Sequence, residues 1–521
     1  MVDNHSVVAN GAPARVDKPT RVVRGAPSPH PAGRLVIATT QNKAGLSRQA
    51  KTGTAFRAAR GIYIVDATLP PEHAVRHHRS RIISVFWPGG VLCDRTAIAG
   101  GEPVDGWVFV AHPEPLRQSD LFLPGVTISP RTGPGQLPGD MPMPDGLFLA
   151  GPARRLVENV SVAGRPPKDR PARQAGTEVV EDQIDYLARR GGAGAISNVL
   201  AQLDVVAGTL PSGPVKVVRD RLASVLGTIT GSRPISERLV ARLSGDPYDE
   251  HRLSMFRALA DLLSDTAPEP RPTLGAVSRW AWEPFFEAYF SNFIEGTEFG
   301  VEEARRIAID GEIPPERPAD AHDVAATYQI VSDPATRSLT PSTADELVEI
   351  LRGNHRVLMA GRPDKHPGEF KELANYAGGY AFVEPELVVG TLRRGFDVFA
   401  SITDPFQRAV ALMLLITECH PFDDGNGRVA RIIVNAQLSA AGQVRIVIPT
   451  VYRNNYLAGL AGVSNGNGRG ETLISVLQFT QKWTGAMDWS TFEETDETLR
   501  MLDAYMDPGL ADASGIKLRL P

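Results

Sequence analysis

The chain has 521 residues, 42% hydrophobic and 22% charged, with 55 Lys+Arg against 60 Asp+Glu. This composition fits a globular chain of two to four domains and excludes a wholly disordered or fibrous one. The net charge of -5 is unevenly spread, since residues 1–100 hold 14 Lys+Arg and 5 Asp+Glu, which marks the front end for an anionic partner such as DNA.

Residues 1–33, rich in Pro, Gly, Ala and Arg, read as a flexible lead with no secretory apolar core. The stretch 34–43 opens as helix or strand. Phe56 and Ile62-Tyr63-Ile64 then flank a basic turn at 57–61, a short helix followed by a hairpin, as in a winged helix. Short apolar runs at 82–87, 107–111, 121–128 and 147–150, broken by Gly and Pro, predict β-strands. Residues 34–175 are therefore expected to form a winged-helix-like and strand-rich module. His77, His78 and the basic cluster 76–81 lack a Cys or carboxylate at ligand spacing and read as a solvated basic face. Helical spacing at 180–189, 215–226, 235–243 and 253–263 makes 176–272 a helical linker domain, ended by the Pro-rich run 268–272. From 276 onward the pattern is helical, with one Gly/Pro-rich interruption at 361–379. No apolar run approaches the roughly 18 residues of a membrane span, so no membrane partner is expected. Cys93 and Cys419 form neither a disulfide framework nor a zinc site and point to a reducing, cytoplasmic setting.

One stretch carries chemistry: His420-Pro-Phe-Asp-Asp-Gly-Asn-Gly-Arg-Val-Ala-Arg431. An apolar helix over 406–419 delivers the histidine, and a second helix begins near Arg428. A Gly-rich loop opening a helix is an anion site, because unpaired N–H groups and the helix dipole both favour negative charge. Arg428 and Arg431, three apart, share a helix face and can grip two phosphates. Asp424 suits Mg²⁺, which takes one carboxylate plus phosphate oxygens. His420, the one nearby group expected to titrate near neutrality, suits a general base. The combination describes nucleotidyl or phosphoryl transfer.

The stretch is similar at every fixed position to the signature of the Fic/DOC family, His-x-Phe-x-Asp/Glu-Gly-Asn-Gly-Arg-x-x-Arg. The resemblance implies a mainly α fold: an all-helical core over 273–521 with a small β-hairpin flap, preceded by the α+β front. It further implies transfer of AMP from Mg-ATP to a hydroxyl of a Ser, Thr or Tyr in a target protein. His420 would be the base, Asp424 the metal ligand, and Gly425, Asn426 and Gly427 the α/β-phosphate loop. Arg428 and Arg431 would orient the β- and γ-phosphates, Phe422 would fix the loop in the core, and Tyr456 and Asn465 would flank the adenine. Upstream, Ser291-Asn-Phe-Ile-Glu295-Gly296 resembles the family's inhibitory helix, expected near 280–297, with Glu295 pairing Arg431 where the γ-phosphate belongs. The competing reading makes Gly296 an ordinary helix cap. Pro367-Gly368-Glu369-Phe370-Lys371 resembles the family's flap, an exposed hairpin that docks the target by main-chain pairing; the competing reading is a surface loop. The front end also resembles the winged-helix region of AbiEi-type antitoxins, with a protein-contact or structural module as the competing reading. Two other functions stay open: a hydrolase that removes AMP using Glu295, and a DNA-binding, toxin-antitoxin-like regulator with a Fic effector half. A homo-oligomer is among the partners the resemblance allows.

Overall fold

A computed structural model describes residues 30–114, 119–161, 170–466 and 469–521; the flexible lead read at 1–33 lies outside the described residues up to 29. The chain divides into two compact units, residues 1–183 with 191–226, and 184–190 with 227–521.

The first unit is α+β. Helix Lys43–Thr52 precedes the hairpin Ala55–Ala59/Ile62–Val65, and strand Arg34–Ile37 completes a three-stranded antiparallel sheet in the order first, third, second. Arg57 and Arg60 are exposed on this hairpin. A six-stranded mixed sheet follows, in which Trp107–His112 pairs parallel with Val126–Thr132 and the latter pairs antiparallel with Leu121–Leu123. The strand expected at 82–87 is instead the end of helix Pro71–Phe86. Ala74, Val75, Ile82 and Ile83 are its buried residues, so the local β-branched cluster is one face of an amphipathic helix. Helix Ser212–Val225 and helix Thr177–Val206, apart from its residues 184–190, also belong to this unit.

The second unit is helical. The boundary placed at 272 does not divide the units: helix Glu250–Asp265 puts Phe256, Leu259 and Leu263 into the same apolar cluster as helix Pro405–Cys419. The Pro-rich run is pinned rather than free. Val444 donates its N–H to the Pro272 carbonyl at 2.9 Å, and the Arg271 guanidinium lies over the Phe406 ring. Helix Pro405–Cys419 is capped by Asp404, whose carboxylate accepts the Gln407 N–H, and has Pro405 in its first turn. It is apolar on nearly every face and is buried accordingly. It ends at His420 in the left-handed conformation (φ 45°), the loop crosses to Gly425 (φ 74°), and helix Asn426–Ala440 returns antiparallel. Among the described residues no helix is long and apolar enough to cross a membrane. Both cysteines are buried free thiols.

Candidate active site

The loop between the two central helices is fixed by buried groups. Phe422 is fully buried and stacks on His355 with ring centroids 3.8 Å apart. The Asn426 side chain closes on the Phe422 backbone: its Oδ1 accepts the Phe422 N–H at 2.9 Å and its Nδ2 donates to the Phe422 carbonyl at 2.8 Å. Asn426 therefore shapes the loop through the loop's own backbone. His355, which no local motif marks, supports the loop from below. Its Nδ1 accepts the Gly368 N–H at 2.9 Å, so its Nε2–H donates to the Asp424 carbonyl at 3.1 Å.

His420 faces a cavity of about 390 Å³ whose wall also includes Glu295, Phe382, Glu418, Gly427, Arg431, Tyr456 and Asn465. The imidazole stacks on Phe382 at 3.9 Å, and its Nδ1 lies 3.3 Å from the Thr417 carbonyl. A carbonyl only accepts, so Nδ1 carries the proton and Nε2 holds the free lone pair. Burial pushes this histidine down to about 4. It does not titrate near neutrality, as the sequence suggests; it is a neutral imidazole at pH 7. Nor is it the sole histidine nearby: His355 lies under the loop, and His366 pairs with Asp423 at 2.8 Å.

The two arginines do not act as a pair. Arg431 is gripped by the upstream helix Glu283–Ile294: Nε donates to Ser291 Oγ at 3.0 Å, and Nη2 donates to the Ser291 carbonyl at 2.9 Å and to Glu295 Oε1 at 2.7 Å. Arg428 is 2% exposed and ion-paired with buried Asp323 at 2.8 Å, with Asn292 Oδ1 at 3.4 Å. A Cβ at position 427 would stand 2.3 Å from Glu295 Oε1, so glycine there is what lets the carboxylate approach the loop. Gly296 sits in the left-handed region (φ 90°), and Thr297 donates back to the Asn292 carbonyl at 3.1 Å. The helix-cap and Arg431-pairing readings of this segment thus hold together.

Asp424 lies at the loop's outer side. Its Oδ1 accepts the Gly425 N–H at 2.6 Å, and its side chain is 45% exposed. The segment Pro367-Gly368-Glu369-Phe370-Lys371 is not the exposed hairpin. That hairpin is Tyr376–Ala377 against Tyr380–Ala381, five residues on, turned by Gly378 and Gly379. Phe370 instead packs near Phe422, and Lys371 is 4% exposed beneath the loop. At the cavity's far end Glu418, which the sequence reading passed over, accepts from Tyr380 Oη at 2.6 Å and from Ser464 Oγ, and pairs with Arg252 at 3.1 Å.

Residues 345–438 match the model of the Fic/DOC family. The chain is 26% identical over 272 residues to the protein adenylyltransferase Fic of Drosophila yakuba, covering 50% of this chain and 52% of that protein. It is 27% identical over 289 residues to protein adenylyltransferase fic-1 of Caenorhabditis elegans, covering 54% and 56%. The chain thus spans about half the length of the curated relatives it matches. A solved Fic-1 chain from C. elegans aligns at 16% identity with a TM-score of 0.35, covering 62% of this chain and 88% of that chain. The family match falls on the segment that holds His355 and the whole of the 420–431 loop.

Proposed function

We propose that the chain is a protein adenylyltransferase whose own Glu295 holds it off. The observation that carries this reading is a single cavity in which the free Nε2 lone pair of neutral His420 and the Glu295–Arg431 ion pair share one wall. His420 Nε2 takes the proton of a protein side-chain hydroxyl. The oxygen attacks the α-phosphorus of ATP, the bond to the bridging oxygen breaks, AMP stays on the protein and pyrophosphate leaves. The main-chain N–H groups at the start of helix Asn426–Ala440 and Arg431 stabilise the charge on the phosphates. Asp424 fits Mg²⁺ because its carboxylate is half exposed beside the loop, and the ion, when bound, supplies charge neutralisation. The exposed hairpin at 376–381 offers main-chain groups to the target strand. Glu295 occupies Arg431, so the γ-phosphate loses its partner until the carboxylate leaves.

The test incubates wild type, Glu295→Gly and His420→Ala with Mg²⁺, α-labelled ATP and cell lysate. Strong labelling by Glu295→Gly, with little by wild type and none by His420→Ala, is expected. Equal labelling by wild type removes the clamp and keeps the enzyme. Absence of labelling from every form overturns adenylyl transfer.

A further inference from the structure

Lys371 sits under the catalytic loop, away from the cavity wall. Its main-chain N–H donates to the Pro421 carbonyl at 2.9 Å. Its Nζ donates to Asn375 Oδ1 at 2.6 Å and to the Cys419 carbonyl at 3.4 Å. Asn375 continues the contact, its Nδ2 donating to the Phe422 carbonyl at 3.0 Å. Of the four carbonyls from Cys419 to Phe422, these two residues hold three. Among them is His420, a non-glycine residue at φ 45°, a conformation that persists only where its surroundings over-determine it.

We infer that Lys371 is a positioning residue for His420: its ammonium bonds the Cys419 carbonyl and Asn375, which in turn holds the Phe422 carbonyl, while its main-chain N–H holds the Pro421 carbonyl, and together these fix the left-handed turn that aims Nε2 into the cavity. The inference rests on His420 acting as the base of adenylyl transfer. Its chemical consequence is a proton-sensitive brace. Burial brings the Lys371 ammonium down to about 8, with Cys419 and Asp423 opposing and Arg252 assisting. The groups facing it are few. Cys419 is a thiol that burial pushes up and keeps neutral, and Tyr380 is likewise pushed up and neutral. Arg252 and Glu418 pair with each other, Asp423 pairs with His366, and His420 is neutral. Below pH 8 Nζ carries its charge and the brace is intact; above it the charge-assisted bonds weaken. An arginine at the same place would not titrate.

The experiment uses full-length Glu295→Gly protein alone and with Lys371→Arg or Lys371→Met. The rate of labelling from α-labelled Mg-ATP, the affinity for a fluorescent ATP and the melting temperature are read from pH 6.5 to 10. The parent's rate is expected to fall about fivefold between pH 7 and 9.5. Lys371→Arg rescues the rate and flattens the profile. Lys371→Met is slower by about tenfold at pH 7, a gap that narrows as the parent falls toward pH 9.5, with unchanged ATP affinity, a defect in turnover rather than binding. An alkaline fall that persists in Lys371→Arg, or a full rate in Lys371→Met, overturns the inference. A readout independent of turnover covers variants that fold poorly or a parent that does not label. In the parent, the His420 ring signals in NMR spectra shift with a midpoint near pH 8, and a parent without that shift lacks the brace. A parent that labels nothing yet shows the shift loses adenylyl transfer and keeps the brace.

Discussion

A general base must be unprotonated at the working pH, and His420 meets that need through its surroundings. Phe382 covers one face of the ring and the Thr417 carbonyl fixes the Nδ1 proton. With the proton bound at about 4 in the folded chain and near 6.5 in a solvated one, the unfolded chain takes the proton first as pH falls. The stabilisation from the neutral ring is therefore complete above about pH 6.5 and drains away toward pH 4. We expect the His420 ring signals of the resting protein to titrate near pH 4 in NMR spectra, and Phe382→Ala, which removes the stacked face, to move the midpoint up toward 6.5. A midpoint near 6.5 in the wild type would show that the ring is solvated. Asn426 acts through structure: Asn426→Ala leaves the buried Phe422 N–H without a partner and its C=O with Asn375 alone, so urea unfolding should show a loss of about 1–3 kcal/mol. The sequence displays Asn426 at its motif position, but not that its amide is spent on the loop itself. Nor does it display the partners that hold the motif in place, since Asp323 and His355 stand 105 and 69 residues from the groups they engage.

Helix Glu283–Ile294 has two ends with different work. Toward its start Glu283 and Glu287 are buried against Arg445, Glu287 at 2.5 Å, with Asn435 donating to Glu287 and Arg337 pairing with Glu283 at 3.3 Å. At its far end Glu295 reaches Arg431 from the rim with its side chain 28% exposed. Removing one partner of a fully buried pair leaves a stranded charge, whereas a rim pair is screened by solvent. Glu287→Ala should thus lower unfolding stability by about 3–5 kcal/mol, and Glu295→Gly by less than about 1 kcal/mol, in parallel denaturant titrations. Equal losses would mean that the Glu295 pair fastens the helix rather than merely occupying Arg431. This division of labour explains what was legible. The Ser291–Glu295 spacing is local and readable, while the anchor needs Arg445 from beyond the next helices of the fold. The hairpin lies elsewhere for a similar reason: Pro367-Gly368 looks like a turn, but the Gly368 N–H is taken by His355 and the Lys371 N–H by the Pro421 carbonyl, and the exposed hairpin forms at the Gly378-Gly379 turn.

At the scale of the molecule, the break expected at 268–272 does not separate two cores. Composition marks 268–272 as a break, yet the backbone there is hydrogen-bonded to the segment after helix Asn426–Ala440, and helices on both sides share one apolar cluster. The front unit has its own cluster, built around Ile64, Ile82, Val110 and Ile128. Units with separate cores lose their cooperativity separately, so a single unfolding midpoint is the wrong description for such a chain. Calorimetry of the full-length Glu295→Gly protein should resolve two transitions. A non-hydrolysable ATP analogue at about 100 times its dissociation constant stabilises the unit that binds it by about 2.7 kcal/mol. For a unit of this size that raises one midpoint by roughly 5 °C and leaves the other in place. The same analogue should shift wild type less, because Glu295 competes for Arg431. Two midpoints rising together would couple the front unit to nucleotide binding, and a single transition would merge the two cores into one cooperative whole.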